Sequence, residues 1–204
     1  MTQIWKTEEA LTTLTPTEAR WLFSSGSLTV QLKALSAAVA PVPAGSPPAF
    51  TVRVIAEGWQ KLSADELAAL RWPAAAGTRG WAREVHLCGA GGTCWIAART
   101  VVPQTPPEGA AAARAPAMLQ TLGDRPLGSV LFQPDSPFAR GPISVAQTTE
   151  GALLRLRGGA EDAAPLCWTR RSLFRDDTHD VSVLVAELFT SALWSAVAKA
   201  EEQG

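Results

Sequence analysis

Apolar and polar residues alternate along two neighbouring segments near the middle of the chain, residues 81–88 and 95–103. Both segments are rich in β-branched and aromatic side chains, which is typical of paired strands. The segment between them, 89–93, supplies the glycines that a tight reversal needs. The pattern therefore predicts a β-hairpin that places Arg83 in an apolar row on the first strand and Arg99 in one on the second.

Two capping boxes predict the starts of helices. Thr15 and Ser63 are each followed three residues later by a glutamate, and Pro16 occupies a first helical position. Apolar residues after Thr15 give the first helix a buried side. We expect this helix to end by Gly26 and the second to end at Pro73.

The remaining elements follow from shorter signals. The run 181–189 is the strongest late strand, since Glu187 alone interrupts its apolar residues. The segment 27–35 fits either a helix or a strand. We expect a helix entered through Pro126, a helical turn over 117–122 and a short helix from Ser191. Alternation predicts a strand at 50–55, and weaker strands are predicted at 143–148, 153–156 and 173–175. Pro/Ala-rich loops are predicted at 37–49 and 104–115.

Strands interleaved with short helices, without a regular βαβ repeat, indicate an α+β fold with a mainly antiparallel sheet of about six strands. The chain has 204 residues, a length that fits one domain over 1–204 with a full hydrophobic core.

The charge balance excludes several classes of partner. Eighteen basic and nineteen acidic residues give a net charge of -1, which argues against a nucleic-acid surface or a polybasic membrane anchor. No apolar run approaches the roughly 20 residues of a membrane span, and the N-terminal residues lack the apolar core of a signal peptide. We expect a cytoplasmic protein.

The cysteines and the acidic cluster do not predict a metal site. Three cysteines at irregular spacing make no disulfide framework, and Cys88 and Cys94, on either side of the hairpin turn, are expected to remain thiols. The residues 176–180 contain three aspartates and a histidine, which suggest either a metal site or a solvated polar turn. We favour the turn.

Two charged residues lie inside strands that should be buried, Arg83 and Glu187. A buried cation needs an anion, and burial raises the pKa of a carboxyl unless a cation offsets it. Glu187 could form a structural ion pair with an arginine. Alternatively, a cation and a carboxyl could lie at opposite ends of a pocket for a small anionic substrate. Arg170 and Arg171, beside Trp168, would by themselves indicate a solvated edge.

Five blocks of residues occur in order along the chain. They are Trp21-Leu22 with Ser27-Leu28-Thr29, Glu57-Gly58, Arg83-Glu84 through Leu87-Cys88 to Arg99-Thr100-Val101-Val102-Pro103, Leu122-Gly123 with Pro126-Leu127-Gly128 and Leu131-Phe132, and Trp168 with Arg170-Arg171-Ser172 leading to Glu187-Leu188-Phe189. As an ordered set they resemble the chorismate lyase (chorismate pyruvate-lyase) family, which releases pyruvate from chorismate to leave 4-hydroxybenzoate in bacterial ubiquinone synthesis.

The resemblance implies roles for individual residues. The arginine that binds the ring carboxylate falls on Arg83, with a supporting backbone amide on Leu127, and the glutamate that meets the ring hydroxyl falls on Glu187. Arg83 and Glu187 would be the catalytic pair. A fourth substrate contact falls on Leu28, where the family often has methionine. Candidates for the second carboxylate of chorismate are Arg99, Arg140, Arg170 and Arg171.

The resemblance also implies short helices that cover an enclosed ligand site, a monomer, and no metal or organic cofactor. Because 4-hydroxybenzoate would keep the groups held by Arg83 and Glu187, we also expect inhibition by the product. Two acceptors for the departing ring hydrogen fit this arrangement, the Glu187 carboxylate and the substrate's own enolpyruvyl group. The alternative is a non-catalytic domain that binds a small aromatic acid, like the effector domains of certain bacterial repressors. Those domains follow a DNA-binding domain, and we expect none in the residues before Thr15.

Overall fold

A seven-stranded antiparallel sheet forms the centre of the molecule. The computed structural model describes residues 4–41, 49–73, 77–104, 117, 120–148, 152–157 and 166–203. The strands are β1 (Thr51–Lys61), β2 (Arg79–Cys88), β3 (Cys94–Pro103), β4 (Ala139–Arg140), β5 (Ser144–Thr148), β6 (Cys167–Asp176) and β7 (Val181–Phe189).

The strand order is β1-β2-β3-β7-β6-β4, and β5 also pairs with β6. β4 and β5 share one edge of β6: Arg140 lies opposite Phe174, and Ser144 lies opposite Arg171. The predicted α+β antiparallel fold is confirmed. The sheet has seven strands rather than about six because the two residues of β4 pair with β6. No local sequence pattern predicts this pairing.

The predicted hairpin is confirmed as β2 and β3, with Arg83 opposite Thr100 and Glu84 opposite Arg99. Its reversal contains a 3-10 turn, Ala90–Gly92, in which Gly91 has a φ of 71°. Gly89 is required for a different reason, since a Cβ there would lie 2.1 Å from the ring of Trp95. The alternating strand pattern and the glycines therefore predict the turn at the same position, between β2 and β3.

Among the described residues, six α-helices accompany the sheet: α1 (Pro16–Leu22), α2 (Leu28–Val39), α3 (Ala64–Leu70), α4 (Gly128–Leu131), α5 (Ala152–Arg157) and α6 (Ser191–Glu202), with a 3-10 turn at Glu8–Ala10. Both predicted capping boxes form, at Thr15 and at Ser63, each through reciprocal bonds with its glutamate. The helix predicted through Pro126 is confirmed as the single turn α4, and the predicted C-terminal helix as α6.

The structure decides one open alternative and corrects two strand predictions. The segment 27–35, which fitted either a helix or a strand, is helical and lies within α2. The strand predicted at 153–156 is wrong: these residues belong to α5, whose leucines pack on Ala97 and Leu188. The ring of His86 also donates a hydrogen bond to the Leu156 carbonyl (2.5 Å). The strand expected over 173–175 runs from Cys167 to Asp176, so that Arg170 and Arg171 lie within a sheet and not at a solvated edge.

The start of the loop predicted at 37–49 is wrong, because residues 37–39 belong to α2. The rest of the two predicted loops falls largely on 42–48 and 105–116, which lie outside the described residues, as does part of the helical turn expected over 117–122. Within the described ranges, no helix is long and apolar enough to cross a bilayer.

Two apolar clusters flank one face of the sheet. The larger joins α1, α2 and α6 to the strands through side chains such as Leu32, Phe189 and Leu193. The second packs α4 and the segment before it on the sheet, through Leu122, Leu131 and Phe174. The interval between these clusters leaves a pocket beneath α2 and α4.

Candidate active site

The pocket lies against the sheet face and is roofed by the first turn of α2 and by the segment 125–132. Its empty volume is about 650 Å³, which includes open solvent at its mouth. Its walls are largely apolar, and four arginines and one glutamate project among them: Arg83, Arg125, Arg140, Arg170 and Glu187.

Arg83 lies at one end of the pocket and is only 2 % exposed. Its Nη1 donates to Glu57 Oε2 at 3.2 Å, and its Nη2 donates to the carbonyls of Gly123 (2.6 Å) and Arg125 (3.3 Å). Burial lowers the pKa of the guanidinium, while Glu57 and Asp124 oppose that effect. Because this group remains a cation, it fastens the segment that leads into α4 to the sheet.

Glu187 lies on β7 directly opposite Arg170 of β6. The Nε of Arg170 donates to Glu187 Oε2 at 2.5 Å, and its Nη1 donates to the Trp21 carbonyl at 3.1 Å. Arg170 is 1 % exposed, whereas 13 % of the Glu187 side chain remains accessible. Glu187 Oε1 has no hydrogen bond to the described residues. The two interpretations of Glu187, a structural ion pair and a pocket carboxylate, therefore both apply, since Glu187 is paired with Arg170 and also faces the pocket.

Arg140, on the short strand β4, closes another side of the pocket. Its Nε donates to Ser172 Oγ at 3.0 Å, and its Nη1 donates to the carbonyls of Ser24 (3.1 Å) and Ser25 (3.2 Å). The guanidinium also lies over the rings of Phe132 and Phe174, at 5.8 and 5.5 Å from their centroids. Burial lowers the pKa of Arg140 to about 10; the charge of Arg170 adds to this effect and Glu187 opposes it.

Leu28 and Leu127 line the roof. Leu28 is buried in the first turn of α2, and Leu127 immediately precedes α4. The two helices meet at Gly128, where an added Cβ would lie 3.0 Å from Ser27 Oγ and 3.3 Å from Thr29 Oγ1. The amide of Leu127 donates no hydrogen bond within the described ranges and is open to a ligand acceptor.

Arg99 and Arg171 do not reach this pocket. They line a groove on the opposite face of the sheet, where Arg99 pairs with Glu66 (2.7 Å) and Glu84 (2.5 Å), and Arg171 with Asp65 (2.8 Å). Burial lowers the pKa of Arg99, but the two glutamates outweigh it and raise that pKa overall. The possible role of Arg99 and Arg171 at a substrate carboxylate is not supported by these positions, because side chains of adjacent strand residues point to opposite faces.

The acidic turn after β6 is built around Asp176. The Asp176 carboxylate accepts bonds from the amides of Thr178 (3.0 Å) and His179 (3.2 Å) and from His179 Nδ1 (2.6 Å). Asp177 and Asp180 are exposed, as a solvated turn requires, but Asp176 itself is buried. No cluster of three metal-ligating side chains occurs within the described ranges, and the three cysteines are free thiols.

Sequence reasoning missed Glu57 as the partner of Arg83. The strand predicted at 50–55 was too short to include it, whereas β1 continues to Lys61 and brings Glu57 opposite Arg83. The pairing of β1 with β2 shifts register between Val54 and Ala56 and then continues. Such an irregularity interrupts the alternation of apolar and polar residues on which the prediction of this strand depended. Glu57 belongs to one of the five sequence blocks, but nothing in the sequence indicated that it pairs with Arg83.

Comparisons to known proteins identify the family of this chain. A family model described as chorismate lyase matches residues 1–199. This chain belongs to the chorismate lyase family. The resemblance drawn from five ordered blocks is thereby confirmed, and the chain is an enzyme of the lyase class.

Relatives in this family match over nearly the whole chain. A probable chorismate pyruvate-lyase of Pseudomonas aeruginosa strain UCBPP-PA14 is 38% identical over 191 residues, covering 94% of this chain and 93% of the relative. One from Pseudomonas syringae pv. tomato DC3000 is 38% identical over 198 residues, covering 97% and 92%. A probable chorismate pyruvate-lyase 2 of Pseudomonas fluorescens Pf0-1 is 39% identical over 195 residues, covering 95% and 92%.

Among solved structures, the C-terminal domain of the histidine utilization repressor from Pseudomonas syringae pv. tomato DC3000 resembles this lyase-family chain with a TM-score of 0.51. The match covers 70% of this chain and 92% of that domain, at 14% identity. At this identity the likeness shows a common fold only.

Proposed function

We propose that this chain eliminates pyruvate from chorismate to leave 4-hydroxybenzoate, as the first step of ubiquinone synthesis in the cytoplasm. It acts as a monomer without a metal or an organic cofactor. The observation that carries the proposal is that one enclosed pocket contains Arg83 and the Arg170–Glu187 pair, at the positions that the family resemblance assigns to the substrate.

Substrate binding follows from the groups that face the pocket. Arg83 and the Leu127 amide hold the ring carboxylate, because a guanidinium and a free backbone N–H both donate to carboxylate oxygens. Glu187 Oε1 accepts a hydrogen bond from the ring hydroxyl, and Arg170 holds the carboxylate through its other oxygen. Leu28 contacts the ligand as part of the buried wall.

The reaction breaks two bonds of the chorismate ring. The C3–O bond to the enolpyruvyl group breaks and its electron pair leaves with that oxygen. The C4–H bond breaks and its electrons complete the aromatic ring. The hydrogen passes to Glu187 or to the methylene carbon of the leaving enolpyruvyl group, which ends as the methyl group of pyruvate in either case. Since aromatisation is strongly downhill, orientation and fixed charges are the main requirements.

The surplus of cations suits a dianionic substrate. Glu187 is the single carboxylate among the charged pocket-lining side chains of the described residues, against four arginines. Fixed cations stabilise charge that moves onto the leaving oxygen, and they act more strongly in an enclosed site than in water.

The test is to add chorismate to the purified protein and to follow the absorbance of 4-hydroxybenzoate. We expect catalytic turnover in the wild type and in Arg171→Gln, which removes one arginine from the opposite sheet face, and strongly reduced turnover in Arg83→Ala. Saturable binding of aromatic acids without turnover would contradict the proposal and favour a non-catalytic binding domain of the same fold.

A further inference from the structure

Arg140 differs from the other arginines of the pocket in its charge balance. Within the described ranges no carboxylate lies within 4.0 Å of it, and its polar partners are the neutral hydroxyl of Ser172 and the carbonyls of Ser24 and Ser25. Its Nη2 has no hydrogen-bond partner in the same part of the chain. A half-buried guanidinium with two unused N–H groups in a pocket is a ready site for an anion.

The other pocket arginines are already engaged. Arg83 is paired with Glu57, and Arg170 is paired with Glu187 and buried to 1 % exposure. Arg125 is exposed, and its Nε and Nη2 donate to the carbonyls of Leu122 and Thr121. Of these four, Arg140 therefore combines partial burial, an unpaired charge and free donors.

The position of Arg140 also fits the shape of a dianion. β2 and β4 lie four strand spacings apart in the sheet order, which places the backbones of Arg83 and Arg140 roughly 19 Å apart along a flat sheet, so that two long side chains reach inward from opposite ends. Glu187, on β7 between them, is close enough for its charge to act on Arg140.

Resting on the proposed function, we infer that Arg140 binds the enolpyruvyl carboxylate of chorismate. The enolpyruvyl ether is attached to the ring carbon next to the one that bears the hydroxyl, so a hydroxyl held by Glu187 directs this second carboxylate toward β4 and β6. Arg140 thus distinguishes the dianionic substrate from the product, which has lost the second carboxylate.

The rings of Phe132 and Phe174 support this role. The two rings contact each other edge to face, with 5.7 Å between their centroids, and the guanidinium lies beside this pair. Phe132 directly follows α4 in the roof. The ring faces attract the cation and help to hold it at the pocket, and the planar guanidinium donates in directions that a lysine ammonium could not reproduce.

The test compares Arg140→Gln with wild type on ligands that have one or two carboxylates. We expect the KM for chorismate to rise about 10- to 100-fold, consistent with the loss of one charge-assisted contact. The Kd of the unreactive dianion 3-(carboxymethoxy)-4-hydroxybenzoate should rise similarly, while the Kd of 4-hydroxybenzoate changes less than about threefold. Arg140→Lys, which keeps the charge, should be intermediate, and Arg171→Gln controls for the loss of one arginine from the opposite sheet face.

An equal weakening of one- and two-carboxylate ligands in Arg140→Gln would show that Arg140 only supports the pocket, and would overturn the inference. So would an unchanged KM. Wild-type protein without chorismate turnover would instead refute the proposed function, and the inference with it. If Arg140→Gln does not fold, the same comparison is made with Arg140→Lys.

Discussion

Arg83 illustrates how a buried charge can serve two purposes. Its Nη2 bonds to the Gly123 and Arg125 carbonyls tie the roof segment to β2, and its Nη1 pairs with Glu57 at 3.2 Å. A carboxylate that enters from the pocket meets a guanidinium already fixed in place, so little side-chain entropy is lost on binding.

We expect Arg83→Ala to lower kcat/KM for chorismate by roughly 30- to 5,000-fold, since truncating one partner of a buried charged pair costs about 2–5 kcal/mol. Arg83→Lys should also be impaired, because an ammonium cannot reproduce the planar fork. Steady-state kinetics and circular dichroism measure activity and folding together. Near-normal kinetics in the lysine variant would show that the residue supports the fold without binding substrate.

Glu187 allows its two possible roles to be separated. In Glu187→Gln the amide keeps the size of the side chain but removes the charge that receives the Arg170 Nε–H bond. If the carboxylate is the proton acceptor, the single-turnover rate should fall much more than affinity for 4-hydroxybenzoate. If it only orients the ring hydroxyl, both should fall alike. Rapid-quench kinetics and product titration distinguish the two, and a variant with wild-type values for both would contradict either role.

At the scale of elements, prediction succeeded where the determinants are local. The capping boxes at Thr15 and Ser63 and the glycines of the β2–β3 turn each specify their geometry within a few residues. It failed where pairing partners decide the structure. β4 is two residues long and is defined by its pairing with β6, where Arg140 lies opposite Phe174. α5 is helical, although the spacing of its leucines also fits a short strand.

The same limit applies to the site. Arg83 and Glu187 were identifiable because a charge inside an apolar row is conspicuous in the sequence. The assignment of Arg99 and Arg171 to the far face required the strand register, which the sequence alone left open. The partner of Arg83 required the length of β1, which runs past the bulge near Ile55.

The turn between β6 and β7 allows the contribution of one buried carboxylate to folding stability to be tested. Burial opposes ionisation of Asp176, but the bonds from the His179 ring and amide and the Thr178 amide outweigh it and hold the pKa of the carboxyl below its ordinary value. A depressed pKa stabilises the folded state above the unfolded pKa of about 3.9, and this stabilisation is lost as the pH falls through the folded value.

We therefore expect Asp176→Asn to lower the free energy of unfolding at pH 7. The difference from wild type should shrink as the pH falls below about 3.9. Urea unfolding at several pH values measures both. A difference that is constant from pH 7 to pH 3 would show that the carboxylate charge contributes nothing to folding.

For the whole molecule, the enclosed site has a kinetic consequence. If the proposed function holds, 4-hydroxybenzoate keeps the carboxylate for Arg83 and the hydroxyl for Glu187, so we expect the pocket to retain the product as well as the substrate. Such uniform binding does not accelerate chemistry, and the roof formed by α2 and the segment 125–132 should slow the departure of the product.

We expect a rapid burst of one equivalent of 4-hydroxybenzoate followed by a slower steady state limited by release, with competitive inhibition by added product. Stopped-flow absorbance at enzyme concentrations of a few micromolar resolves the burst. Linear progress curves that are insensitive to added 4-hydroxybenzoate would refute a release-limited cycle.

The proposed elimination is tested most directly by the stoichiometry of the reaction in protein dialysed exhaustively against a chelator. If side chains of this chain and the Leu127 amide carry out the elimination, the dialysed protein should convert chorismate to pyruvate and 4-hydroxybenzoate in a 1:1 ratio at the undialysed rate. A loss of activity that a divalent ion restores, or binding of chorismate without either product, would contradict it.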